Sequence, residues 1–175
     1  MNKKYLYASL TLGIIAAVAA GVIGLTNYFT KDRIVENEKK ATIAGLEEIF
    51  GKEATYGEAT PVKEKTYKYV YEYYLATQND SFLGYVFKGS GYNDYGKITA
   101  LIGIKPNLEV KKYYVIVNDQ TFGSTFMKNY INPFNEGNRD LDDVTCGATY
   151  SATLINSMAH ESLTEAERLL SEENK

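Results

Sequence analysis

Between Tyr5 and Tyr28 the chain carries no charged residue, and the run LTLGIIAAVAAGVIGL from Leu10 to Leu25 is almost wholly apolar. With its flanks the run reaches the ~20 residues that cross a bilayer core as a helix. A helix that is apolar all round offers no face to water, so a core helix of a soluble domain is the weaker reading. Lys3 and Lys4 precede the run, and Tyr5, Tyr7, Tyr28 and Phe29 stand at its ends as interfacial aromatics do. The lysine pair predicts a cytoplasmic N-terminus, with the rest of the chain outside the cell membrane. Ala17-Val18-Ala19 supplies the small-residue pattern of a cleaved signal peptide. The run nevertheless continues to Leu25, beyond a usual signal core, so an uncleaved single-pass anchor is expected. Both readings export the remainder of the chain.

Residues 1–30 are thus read as the anchor, 31–65 as a helical linker and loop, and 66–175 as the folded domain. About 145 residues beyond the anchor suit one domain of ordinary size. The formal net charge of −3 and the lack of any long Lys/Arg run argue against nucleic acid as a partner. One cysteine, Cys146, cannot close an intramolecular disulfide, and His160 is the only histidine. A structural zinc site or an iron–sulfur cluster built from this chain alone is therefore not expected.

Lys31 to Phe50 repeats apolar residues at helical spacing, with Gly51 as its C-cap. Gly51 to Lys65 reads as a loop with a short strand. TYKYVYEYYLA, from Thr66 to Ala76, predicts a strand with Tyr67, Tyr69, Tyr71 and Tyr73 on one face. Gln78 to Ser81 is a turn, and Phe82 to Gly89 a second strand. GSGYNDYG, from Gly89 to Gly96, reads as a glycine-rich loop. Lys97 to Ile104 and Glu109 to Val117 are two further strands across a KPNL turn. Asn118 to Gly137 is loop and short helix. From Ser151 the residues Ile155, Met158, Ala159, Ser162, Leu163, Ala166, Leu169 and Leu170 make one stripe of a long C-terminal helix. The expected class is α+β, an antiparallel sheet with helices on one face or end. His160 is expected at the surface, and Glu161, Glu165 and Glu167 on a solvated helix face.

The stretch Asp143-Val144-Thr145-Cys146-Gly147-Ala148-Thr149-Tyr150-Ser151 lies directly before that helix. Gly147 and Ala148 are small enough to let a bulky group approach the backbone. Thr149 and Ser151 put two hydroxyls at a helix N-terminus, where free N–H groups and the dipole favour a phosphate. A plain Ser/Thr helix cap accounts for the same residues, and on physics alone it is the simpler reading.

The stretch resembles the flavinylation motif of the FMN-binding domain family, which includes the G subunit of the Rnf complex and the C subunit of the sodium-pumping NADH:quinone oxidoreductase (Nqr). That motif reads Asp-x-x-Ser/Thr-Gly-Ala-Thr-x-Ser/Thr. Asp143, Gly147, Ala148, Thr149 and Ser151 match it, and Cys146 stands where Ser or Thr is usual. Gly91-Tyr92, Gly96-Lys97-Ile98 and Gly103-Ile104 resemble the family's glycine-containing strand region. Gln120 to Thr125 resembles its Glu-Thr-Pro-Gly-Leu-Gly segment, keeping Thr121 and Gly123.

The resemblance implies FMN esterified through its phosphate to the Thr149 hydroxyl, placed there by a separate flavin transferase with FAD as donor. It implies contacts from Asp143, Cys146, Gly147, Ala148, Ser151, Thr121 and Gly123, with Phe122 a weaker candidate. It also implies an electron-transfer subunit of a membrane-bound, ion-translocating oxidoreductase, not an enzyme by itself. The changes at Gln120 and Phe122 keep a second setting open, a stand-alone flavinylated carrier in extracellular electron transfer. A tethered binding module without redox chemistry is the alternative from another class. A hydrolase using Thr149 lacks a visible base.

Overall fold

The computed structural model describes residues 3–64, 66–121, 127–137 and 149–173. The chain divides into two compact units, Met1–Lys40 and Ala41–Lys175.

The first unit is helical. It belongs to α1 (Lys3–Phe50), which runs as one helix through both the apolar run and the expected helix after it. Nothing between them breaks helical geometry: residues 31–40 contain neither Gly nor Pro. The apolar part has a mean hydropathy of 2.2 and is not buried, so it is long and apolar enough to cross a membrane. Its Ser and Thr hydroxyls are turned onto the helix itself. Ser9 donates to the Tyr5 carbonyl at 2.8 Å, Thr11 to Tyr7 at 2.9 Å and Thr26 to Val22 at 2.8 Å. Such back-bonding removes the polar groups that hydrocarbon would leave unsatisfied. Gly51 ends the helix with φ 98°, its N–H donating to the Glu47 carbonyl at 2.9 Å.

The second unit is built on one antiparallel sheet of six strands: β1 (Thr55–Tyr56), β2 (Thr60–Pro61), β3 (Val70–Gln78), β4 (Ser81–Asn93), β5 (Gly96–Ile104) and β6 (Val110–Asn118). The order is β1-β3-β4-β5-β6, with β2 also beside β3. Two short strands thus share the outer edge of β3, and Pro61 sits where an edge tolerates it. Asn79 and Asp80 close the β3–β4 hairpin with φ 49° and 61°, the paired left-handed residues of a type I′ turn.

Helices α2 (Met127–Asn135) and α3 (Thr149–Glu173) cover one face of the sheet. Ile155, Met158 and Ala159 meet Phe87, Ile98, Ala100 and Ile102 there, all fully buried. The opposite face is covered by the last turns of α1, where Leu46 and Ile49 pack with Val86 and Leu101. The expected arrangement of helices on one face or end is thereby corrected to helices on both. The cause is visible in β5: from Ile98 to Ile104 every residue is buried, as in a strand covered on two sides.

Three further expectations change. The glycine-rich stretch is mostly strand, because β4 continues to Asn93. Its glycines make room for α3: a Cβ on Gly91 would lie 2.5 Å from Leu154 Cδ1, and one on Gly89 3.3 Å from Met158 Cγ. The tyrosine alternation is interrupted by a bulge between Val70 and Glu72, and β3 begins only at Val70. Tyr73 accordingly packs with the α3-side core and Tyr74 with the α1-side core.

The acidic residues of α3 also divide. Glu167 is exposed, but Glu161 accepts the backbone N–H groups of Lys68, Tyr69 and Val70, each at 2.9 Å. The chain leading into β3 has donors that no strand pairs, and this carboxylate takes them. Glu165 is fully buried and held by Arg168 in a two-pronged ion pair at 2.6 and 2.8 Å. Burial and then the neighbouring Glu165 push the Tyr67 hydroxyl up to about 12.

Glu161→Ala should destabilise the full chain by about 2–4 kcal/mol in urea titrations, given about 1.5–3 kcal/mol per hydrogen bond to a charged group and partial replacement by water. Glu167→Ala should stay within about 0.5 kcal/mol. Equal small effects of the two would remove Glu161 from this role.

Candidate functional site

Helix α3 begins at Thr149, so the Thr-x-Ser pair of the sequence occupies its first turn. The two hydroxyls have opposite environments. Thr149 is exposed at the helix start, whereas Ser151 is fully buried. Ser151 Oγ donates to Gln120 Oε1. Gln120 Nε2 donates to Asn93 Oδ1 at 2.8 Å, and Asn93 Nδ2 donates back to Ser151 Oγ at 3.3 Å. Three side chains from distant parts of the chain therefore close a ring in which each both gives and takes a hydrogen bond.

The ring ties three elements together. Asn93 ends β4 at the tip of the β4–β5 hairpin, Gln120 follows β6, and Ser151 opens α3. Gln120 Nε2 also donates to the Gly96 carbonyl at 3.1 Å. At Gly96, with φ 135°, a Cβ would stand 2.4 Å from the Asp119 carbonyl oxygen. Two backbones meet there at a distance only glycine allows. Tyr95 is fixed in the same place: its N–H donates to Asn93 Oδ1 at 2.9 Å, and its carbonyl accepts the Thr121 N–H at 2.8 Å and the Thr121 hydroxyl at 3.2 Å.

Of the residues singled out from the sequence, Thr121, Thr149 and Ser151 come together at this end of the sheet. Thr121 is joined to Ser151 through its neighbour Gln120. Asp143, Cys146, Gly147, Ala148, Gly123 and Phe122 lie outside the described residues. The hub residues Asn93 and Gln120 were missed as contributors. Asn93 was hidden in an apparent loop. Gln120 showed only as a departure from an acidic position, yet the ring needs what an amide has and a carboxylate lacks, a donor beside an acceptor. Two clefts, of roughly 370 and 390 Å³, lie elsewhere. One is lined by Ile43, Leu46, Tyr56 and Tyr74, the other by Tyr73, Leu75, Tyr85 and Leu169.

Residues 1–49 match the family described as the RnfG N-terminal region. A relative from Acetobacterium woodii, the G subunit of a Na(+)-translocating ferredoxin:NAD(+) oxidoreductase complex, is 28% identical over 125 residues. That alignment takes in 65% of this chain. The chain is similar to RnfG over these stretches. It spans 60% of that relative's length, less than two thirds. The matched N-terminal region coincides almost wholly with α1.

Ser151→Ala leaves Gln120 Oε1 without its donor in a buried place, which costs about 1–3 kcal/mol. The midpoint of thermal unfolding should fall accordingly, and the Thr121 amide should exchange faster with deuterium. An unchanged midpoint and unchanged Thr121 exchange would show that the ring does not hold this end of the domain.

Proposed function

We propose that this chain is a membrane-anchored electron-transfer subunit carrying FMN through a phosphoester on Thr149. The observation that carries the reading is the contrast within the first turn of α3. Ser151 is buried and bonded to Gln120, while Thr149 is an exposed residue at the start of a 25-residue helix. That end suits a phosphate: the first turn of a helix offers N–H groups the helix does not use, and its dipole favours negative charge. A Thr hydroxyl is also the group a phosphoester needs.

FMN bound there supplies one- and two-electron chemistry. The chain's own residues hold and present it. Thr149 provides the covalent link, so the group stays with an exported domain that free flavin would leave by dilution. The Ser151–Gln120–Asn93 ring keeps the start of α3 against the hairpin tip, which fixes where Thr149 stands. Thr121 and Gly123, with Asp143, Cys146, Gly147 and Ala148, complete the proposed binding set. A separate flavin transferase moves FMN from FAD to the Thr149 oxygen, breaking the pyrophosphate bond and releasing AMP, and Asp143 is read by it or orders the approach to Thr149.

The apolar part of α1 anchors the chain in the cell membrane, with the N-terminus cytoplasmic and the sheet domain on the other side. The A. woodii relative favours the setting of a complex, with other membrane redox subunits as partners.

Full-length chain made together with a flavin transferase should outweigh its sequence by one FMN less one water, and its band should fluoresce yellow after denaturation. Thr149→Ala should lower both signals to background. A variant that keeps its colour moves the attachment elsewhere, and a colourless wild-type chain from its own cell removes the redox reading.

A further inference from the structure

Aromatic side chains gather beside Thr149. Among the described residues beyond α1, the most exposed large apolar side chains are Tyr92, at 74%, and Tyr150, at 60%. Tyr150 directly follows Thr149, and its ring centroid lies 6.2 Å from that of Tyr95, with the planes 54° apart. Tyr92 belongs to the same hairpin as Tyr95.

Single exposed aromatics are ordinary on protein surfaces. This pair differs because its members come from two elements that the Ser151–Gln120–Asn93 ring holds together. Neither Tyr95 nor Tyr150 belongs to the two apolar cores, so core packing does not explain them. Tyr95 is held by its backbone on both sides, through Asn93 Oδ1 and through Thr121. Successive side chains on a helix point roughly 100° apart. Tyr150 is nonetheless the next residue after the proposed attachment point, and its ring is the one that meets Tyr95.

With FMN held on Thr149 as proposed above, we infer that Tyr150 and Tyr95 form the aromatic platform against which the isoalloxazine ring rests. A phenol ring offers a flat apolar surface with a polar end that can stay in water. A flavin on a single covalent tether needs such a surface to give it a preferred orientation. The phosphoester fixes one end of the group, and the tyrosine pair orients the other.

The test uses full-length chain made with a flavin transferase, comparing wild type with Tyr150→Phe and Tyr95→Phe. Each substitution keeps the ring and its packing but removes the phenol, which quenches the emission of a flavin stacked on it. Intact mass reports attachment, and the ratio of native to denatured flavin emission reports contact with the ring. At unchanged FMN mass, both variants should raise that ratio several-fold. An unchanged ratio in both, with FMN still attached, overturns the platform and leaves the Thr149 phosphoester standing. Wild-type chain without the added mass of FMN overturns the attachment, and the platform with it.

Discussion

A hydroxyl buried at the first turn of a helix must find a partner, and Ser151 finds one in a residue far away in the chain. The cost of leaving it unsatisfied is what joins α3, the β4–β5 hairpin and the segment after β6 into one end of the molecule. The arrangement is neutral and closed, since Ser151, Gln120 and Asn93 each act as donor and acceptor. Gly96 lets the backbones approach closely enough for the ring to form. This closure holds Ser151 buried, while Thr149, two residues before it, stays exposed.

The rest of α3 works by the same logic. Its apolar stripe fills the space over the sheet, one of its carboxylates serves the chain before β3, and another is paired within the helix. Glu161 satisfies three backbone donors that the sheet leaves over, and Glu165 is neutralised by Arg168. The helix is thus pinned at its start by the ring and in its middle by Glu161. A helix so held gives a well-defined place to whatever its first residue carries.

Much of the fold was legible from local signals. Turn residues with an intrinsic taste for positive φ marked the β3–β4 hairpin, and Gly51 marked the end of α1. The stripe from Ile155 to Leu170 announced the last helix. Where the reading failed, the signal was not local. Glycines at 89 and 91 looked like a loop because glycine usually means a turn; here they are the imprint of a helix lying across the strand. Glu161 and Glu165 looked solvated because acidic residues usually are, and nothing within α3 says what lies opposite them. Gln120 read as a loss relative to a family pattern, while its amide proved to be the centre of the ring.

The apolar helix at the start, the antiparallel strands, the long final helix and the position of Thr149 at its mouth were determined by the sequence alone. Each follows from backbone geometry or from an apolar period that a short window of residues contains. The tertiary structure alone decided that helices cover both faces of the sheet, that Ser151 is buried while Thr149 is not, and that Tyr95 stands beside Tyr150. Those outcomes depend on which distant residues come to face each other, and burial is a property of the pair that meets, not of either residue's neighbours in the chain.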